Sequence, residues 1–194
     1  MRTAAVQQGA GLRKDARENR DNLIQAAKAA MSEHGVDVPL EVISEKAGTT
    51  RGTLYRNFAD RTELYRAVLE SELRSVTDSI SENDGCGLFE VMRKLIEVSD
   101  LYHAFTTTMR GEPASTDRKP IEELLTTVVA PHLATAKRQS IIRADLTEAE
   151  VLLACRMVAM GWRLDGEAAK ADAIDKRLLL VIRGMAADPN FNSK

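Results

Sequence analysis

Between Pro39 and Leu64 helical periodicity is interrupted twice within a few residues, and no other feature of the 194-residue chain restricts the fold as much. Pro39 suits the first turn of a short helix, because its φ is already fixed and its missing donor has no helical partner to lose. Leu40, Ile43 and Ala47 recur at the spacing of one helical face, and Gly48 ends the run. Thr49-Thr50 offers a hydroxyl to cap a third helix from about Arg51 to Asn57. After the turn at Phe58-Ala-Asp60, Asp60 and Glu63 have the spacing of a capping box, and Leu64, Val68 and Leu73 trace a fourth helix over about residues 61–80. Upstream, Leu23, Ile24, Ala27, Ala30 and Met31 share a stripe that starts near Asp15 and stops at His34-Gly35. Four helices, the middle two short and joined through glycine, are the layout of a helix-turn-helix domain.

The remainder reads as helix too. Aromatic residues make up only 4% of the chain, so the core must be built from Leu, Ile, Val, Met and Ala, a mixture that favours helix over sheet. Helices are predicted over Leu88–Met109, from Pro120 to about Arg138 with a bend at Pro131, over Val151–Leu164 behind a Thr147-Glu-Ala-Glu150 capping box, and over Glu167–Ala187. No strand and no internal repeat is apparent. The fold class expected is all-α, with a flexible leader at 1–13, a three-helix helix-turn-helix domain at 14–62, a larger helical domain at 63–187 and a tail at 188–194.

Composition excludes several classes of function. Apolar runs such as Leu178–Ile182 and Val151–Cys155 are far too short to span a bilayer, and the first twenty residues contain no apolar block of a secretory signal, so the expected compartment is the cytoplasm with no membrane partner. Cys86 and Cys155 lie in unlike contexts and read as reduced thiols, Cys155 as a small buried hydrophobe and Cys86 as an exposed thiol open to oxidation. His34, His103 and His132 lack metal-ligand spacing. Without a phosphate loop, a nucleophile elbow or a Ser-His-Asp set, the chain is not expected to be an enzyme or to carry a cofactor or metal. The net charge is −2, yet the first twenty residues carry five Lys and Arg against two Asp and Glu. Positive charge is concentrated where an arm could touch phosphate or simply be solvated.

The third helix is barely two turns long and polar on its open side. Thr50, Arg51, Thr53, Tyr55, Arg56 and Asn57 supply hydroxyl, guanidinium, phenol and amide groups that are costly in a core but suit a nucleic-acid groove. Arg51 is the candidate for a bidentate guanine contact and Thr53 for a thymine methyl. Tyr55, Asn57 and Arg61, with Arg17 from the basic N-terminal segment, are candidates for phosphate contacts, which position without specifying.

The run Ile43-Ser-Glu-Lys-Ala-Gly-Thr-Thr-Arg-Gly-Thr-Leu-Tyr-Arg-Asn-Phe-Ala-Asp-Arg-Thr-Glu-Leu64 resembles the DNA-binding domain of the TetR family of regulators. The matching positions are Ile43, Ala47, Gly48, Gly52, Thr53, Leu54, Tyr55, Phe58 and Leu64, and the likeness covers about residues 17–70. Ser44, Thr49, Thr50, Asn57 and Arg61 depart from the family pattern, and Pro39-Leu40-Glu41 stands where many members carry Thr at the start of the second helix. The resemblance implies a homodimer that binds a palindromic double-stranded DNA operator, with half-sites about one helical turn apart. It also implies a C-terminal cavity for a small, largely apolar effector, for which Phe89, Met92, Ile96, His103, Phe105, Met109, Leu125, Met157, Met160 and Trp162 are candidate lining residues, most of which read more simply as core. In this reading the last two helices pair with their two-fold mates, and the protein is a repressor released by ligand. Two alternatives are a constitutive repressor without effector and a helical ligand-binding protein with a vestigial DNA-binding head.

Overall fold

In the computed structural model of the chain, residues 3–108, 119–160 and 170–187 are described. They form α1 (Thr3–His34), α2 (Leu40–Lys46), α3 (Arg51–Asn57), α4 (Arg61–Ser79), α5 (Gly87–Glu97), α6 (Ser99–Thr108), α7 (Lys119–Arg138), α8 (Glu148–Met160) and α9 (Lys170–Met185). Among the described residues the only β pairing is an isolated antiparallel bridge, Ile142 to Ala186.

The local signals that shape the first four helices are satisfied in kind. Gly35 and Gly48 both adopt positive φ, +84° and +63°, a conformation in which an L side chain is strained. At Gly48 the N–H donates to the Glu45 carbonyl and that of Thr49 to the Ser44 carbonyl, a Schellman closure that turns the chain sharply between α2 and α3. Thr50 caps α3 by accepting from the Thr53 N–H at 3.2 Å. Asp60 caps α4 by accepting from the Glu63 N–H at 2.8 Å. Ser44, where the family pattern has alanine, is buried, and its hydroxyl donates to the Leu40 carbonyl at 2.9 Å; the polar atom is therefore accommodated without loss of the fold.

Leu23, Ala27 and Ala30 of α1, Leu40 and Ile43 of α2, Leu54 of α3, Phe58, and Leu64, Tyr65 and Val68 of α4 are all buried. Burying side chains of the size of Leu54 or Phe58 contributes about 1.5–3 kcal/mol each before entropy is subtracted. The core does not stop at α4. It continues through Leu69, Leu73 and Val76 to Leu88, Val91, Met92, Phe105, Val128, Val129 and Val151. α4 packs against α1 on one side and against α5, α6 and α7 on the other, while α5 also meets α7 and α8, and α8 meets α9. One continuous core runs past residue 62, and α4, the helix expected to connect the two parts, packs against both.

Two expectations about elements need correction. The segment expected to be an aperiodic leader continues α1, which begins at Thr3 rather than near Asp15; residues 4–14 hold three Ala, two Gln and one each of Leu, Arg and Lys beside two Gly, and the first five types favour helix without an apolar stripe. The helix expected over Leu88–Met109 is two helices. Val98 sits between them at φ −87°, ψ 2°, and the run Val98-Ser99-Asp100 combines a β-branched residue with two short polar residues that compete for backbone hydrogen bonds.

Candidate nucleic-acid interface

α3 is held from beneath by its own apolar residues and leaves its polar groups outside. Leu54 and Phe58 are fully buried, whereas Arg51, Gly52, Tyr55 and Arg56 are exposed. Helical spacing accounts for the split, since Leu54 is the only position of the seven-residue helix that reaches the core. Arg20 of α1 buttresses the far end: its guanidinium lies 4.2 Å from the Phe58 ring centroid, donates to the Asn57 carbonyl and pairs with Glu63 at 3.3 Å. A last-turn carbonyl of α3 thereby gains a charged donor. The position of Arg20 in the basic N-terminal segment gave no sign of this role, which depends on a contact 37 residues away.

The exposed groups are already coupled to one another. The Thr50 and Thr53 hydroxyls lie 3.1 Å apart, and Arg56 donates to the Thr53 hydroxyl at 2.8 Å. Arg51 donates to the Tyr55 hydroxyl at 3.2 Å, with its guanidinium 5.4 Å from the Tyr55 ring centroid. It also pairs with Glu41 of α2 at 2.6 Å. The Tyr55 hydrogen bond first, and the Glu41 charge second, hold the Arg51 guanidinium above its ordinary value; it stays a cation throughout. A cleft beside this helix is lined by Asn19, Asn22 and Leu23 of α1 together with Ala47, Gly48, Thr49 and Thr53. Sequence reasoning missed the two asparagines, whose place on the flank of the α1 apolar stripe was the available signal.

Three of the proposed contact residues are disposed differently from the rest. Asn57 turns its amide back to donate to the Thr53 carbonyl at 2.8 Å, so the side chain is engaged within its own helix. Arg61 donates to the Val38 carbonyl at 2.9 Å and to the Tyr65 hydroxyl at 3.2 Å, so it braces the loop before α2. Arg17 is exposed and lines a groove between α1 and α4 with Arg20, Arg74 and Asp78. The structure brings Thr50, Arg51, Thr53, Tyr55 and Arg56 together on one surface and leaves these three at its margins.

The candidate effector residues do not converge. Phe89, Met92, Ile96 and Phe105 are buried in the continuous core. His103 and Met157 face outward, Met157 at 64% exposure, which is opposite to the inward position expected of them and follows from where the α5–α6 break and the α8 packing place those faces. Leu125 lines a cavity of about 40 Å³ with Leu69, Leu95, Tyr102, Leu152 and Cys155 among its walls. Met109 and Trp162 lie outside the described residues, as does the side chain of Met160. Burial raises the Cys155 thiol to about 12, so it is an inert part of that wall. Among the described residues there is no group of His, Cys, Asp and Glu that could hold a metal ion, and no helix long and apolar enough to cross a membrane.

Comparison with known proteins agrees with this geometry. Residues 23–68 match the family described as bacterial regulatory proteins, tetR family. Curated relatives include the HTH-type transcriptional repressor AcnR of Corynebacterium efficiens, 28% identical over 85 residues, which are 43% of this chain and 44% of that protein. An HTH-type transcriptional regulator of Staphylococcus aureus is 36% identical over 63 residues, 32% of this chain and 34% of that one. The chain thus matches less than half the length of these relatives. Likeness in fold extends further: a TetR transcription regulatory protein from Mycobacterium vanbaalenii aligns with a TM-score of 0.60 at 24% identity over 90% of this chain and 99% of its own. A TetR transcriptional regulator from Streptomyces coelicolor aligns with a TM-score of 0.59 at 25% identity over 86% and 98%. The sequence match thus identifies residues 23–68 as a DNA-binding domain of the TetR family, and the likeness to solved TetR regulators extends the shared fold through the C-terminal helices.

Proposed function

We propose that the chain is a sequence-specific DNA-binding transcriptional repressor that acts as a homodimer on a palindromic operator. The observation that carries this reading is the split of α3 between a buried Leu54 and an outer row of exposed Thr50, Arg51, Tyr55 and Arg56 with a half-buried Thr53 among them. A helix this short, pinned through its core residue and its cap, presents donors and acceptors to a major groove without bending. Arg51 reads guanine, Thr53 meets a thymine methyl, and Tyr55 and Arg56 hold phosphates, with Asn57, Arg61 and Arg17 contributing at the margins after side-chain rotation. The name of the Corynebacterium relative, a transcriptional repressor, supports repression over activation.

Exposed apolar side chains on α8 and α9, Leu153, Met157 and Leu180, support the homodimer. A release mechanism through a small apolar effector has to open the C-terminal helices. A pocket for a ligand of ordinary size is about 300–1,000 Å³, against the cavity of about 40 Å³ found here. Effector entry at this cavity therefore means widening it between Tyr102 of α6 and Leu152 of α8 and pushing on α4, whose Leu69 forms one wall. The burial of Phe89, Met92, Ile96 and Phe105 in the continuous core favours a second reading, a repressor with no small-molecule effector.

Selection of duplexes from a random library with the purified full chain tests the proposal. The expected outcome is an enriched palindrome with half-sites about one helical turn apart, and Arg51→Ala should weaken its binding about 5- to 150-fold with relaxed preference at one base pair. Recovery of no common sequence overturns the repressor reading.

A further inference from the structure

Glu41 is a carboxylate set into the face that otherwise carries Thr, Arg and Tyr. It is the second residue of α2, whose neighbours Leu40, Ile43 and Ser44 point inward and leave Glu41 exposed. The Schellman turn at Gly48 folds α3 back so that the Arg51 guanidinium meets this carboxylate at 2.6 Å. The other guanidinium nitrogen is taken by the Tyr55 hydroxyl at 3.2 Å. The side chains of Arg51 and Glu41 are 59% and 50% exposed, and an ion pair that open to water contributes little to folding. Its consequence lies instead in what the pair meets when a duplex approaches.

We propose, on the reading that α3 enters the major groove, that Glu41 is a specificity-determining residue of this protein. It keeps Arg51 from settling on phosphate and accepts a hydrogen bond from a cytosine amino group next to the guanine that Arg51 reads. The chemistry follows from the two groups. A carboxylate is an acceptor only, so it is repelled by phosphate oxygens and by base edges that present acceptors alone. In the major groove cytosine offers the N4 donor, and guanine offers the O6 and N7 acceptors that suit arginine. On unselected DNA the pair stays closed, Arg51 remains with Glu41, and the negative charge opposes close approach. On the right sequence both partners exchange their mutual contact for base contacts, so discrimination arises from repulsion as well as attraction. Tyr55 keeps the guanidinium aimed during the exchange.

The test is a parallel duplex selection with the full-length wild-type chain, Glu41→Gln and Glu41→Asp, followed by affinities for the selected and a scrambled duplex across a salt series. Glutamine removes the charge at nearly constant shape. It should relax preference at one base pair beside the arginine-dependent guanine and narrow the selected-to-scrambled ratio about fivefold or more. The change should come mainly from tighter scrambled binding, with the salt dependence steeper by about one phosphate contact. Aspartate keeps the charge but shortens the reach, so scrambled binding should stay weak while the base preference still relaxes. Unchanged far-UV circular dichroism and thermal midpoint show that each variant is folded, as an exposed site predicts. Wild-type selection of a sequence together with an identical motif, ratio and salt slope for Glu41→Gln overturns the inference and leaves the repressor reading standing. Wild-type selection of no sequence overturns both.

Discussion

The Nδ1 atom of His132 is buried with no hydrogen-bond partner in the structure. It lies under the start of α5, where a methyl group at Gly87 would come within 3.2 Å of it, and the loop above is tied to α7 by the Thr135 hydroxyl donating to the Glu82 carbonyl at 2.7 Å. Burial lowers the His132 value below 6.5, with the Glu82 and Glu90 charges opposing that shift. Because the folded state resists the proton more than the unfolded state does, stability from a neutral His132 is complete above the unfolded value and is lost as pH falls below about 6.5. Thermal midpoints measured from pH 8 to pH 5 should therefore fall more for the wild type than for His132→Gln. Parallel curves for the two proteins would show that the histidine titrates freely. In the sequence His132 was one of three scattered histidines; its burial is a product of the α5–α7 contact and has no local signature.

Among the elements, the start of α4 shows how a cap decides more than its own helix. Asp60 accepts from the Glu63 N–H, and the Glu63 carboxylate accepts from the Ala59 N–H at 2.8 Å while pairing with Arg20. The cap, the turn after α3 and the brace from α1 are one network, so the angle between α3 and α4 is defined at the point where α3 must present its outer face. Asp60→Ala should cost about 1 kcal/mol of stability, a fall in thermal midpoint of roughly 2–4 °C for a chain of this size. Calorimetry reads it directly, and a midpoint that does not move would mean that water replaces the cap without loss. The box at the start of α8 is reciprocal between its two residues: Thr147 accepts from the Glu150 N–H at 3.3 Å, and Glu150 accepts from the Thr147 N–H at 2.8 Å. Both boxes were visible as residue spacings because a cap is a local bargain between groups three positions apart. The break at Val98 was not, since the residues around it continue the apolar spacing of a single helix.

At the scale of the whole molecule the decisive feature is the apolar surface that α8 and α9 expose among the described residues. Leu153 and Met157 lie four residues apart on one face of α8, at 50% and 64% exposure, and Leu180 of α9 is 67% exposed. The end of α9 is clasped to the segment before α8, with the Arg143 N–H donating to the Met185 carbonyl at 2.9 Å and that of Ala187 to the Ile141 carbonyl at 3.1 Å. The two helices that carry the apolar residues are therefore held in fixed register by the rest of the core. Met157→Glu combined with Leu180→Glu should convert a dimer to a folded monomer in sedimentation velocity, and operator affinity should fall by about 10²-fold or more as the two half-sites cease to be bound together. A double variant that still sediments as the wild type would remove α8 and α9 from the interface.

The all-α class, the capped short helices around Gly48 and the choice of α3 as the outward-facing helix were determined by the sequence alone, because propensity, capping and periodicity act over three or four residues. Tertiary structure decided everything that requires two distant segments to meet. It set Glu41 against Arg51, turned Arg61 to the Val38 carbonyl, placed Arg20 under Phe58, carried one core through α4, and brought Leu69, Tyr102, Leu125 and Leu152 around a cavity of about 40 Å³. Apolar spacing states that a residue is buried or exposed on its own helix, but which partner it meets depends on crossing angles that packing selects from the chain as a whole.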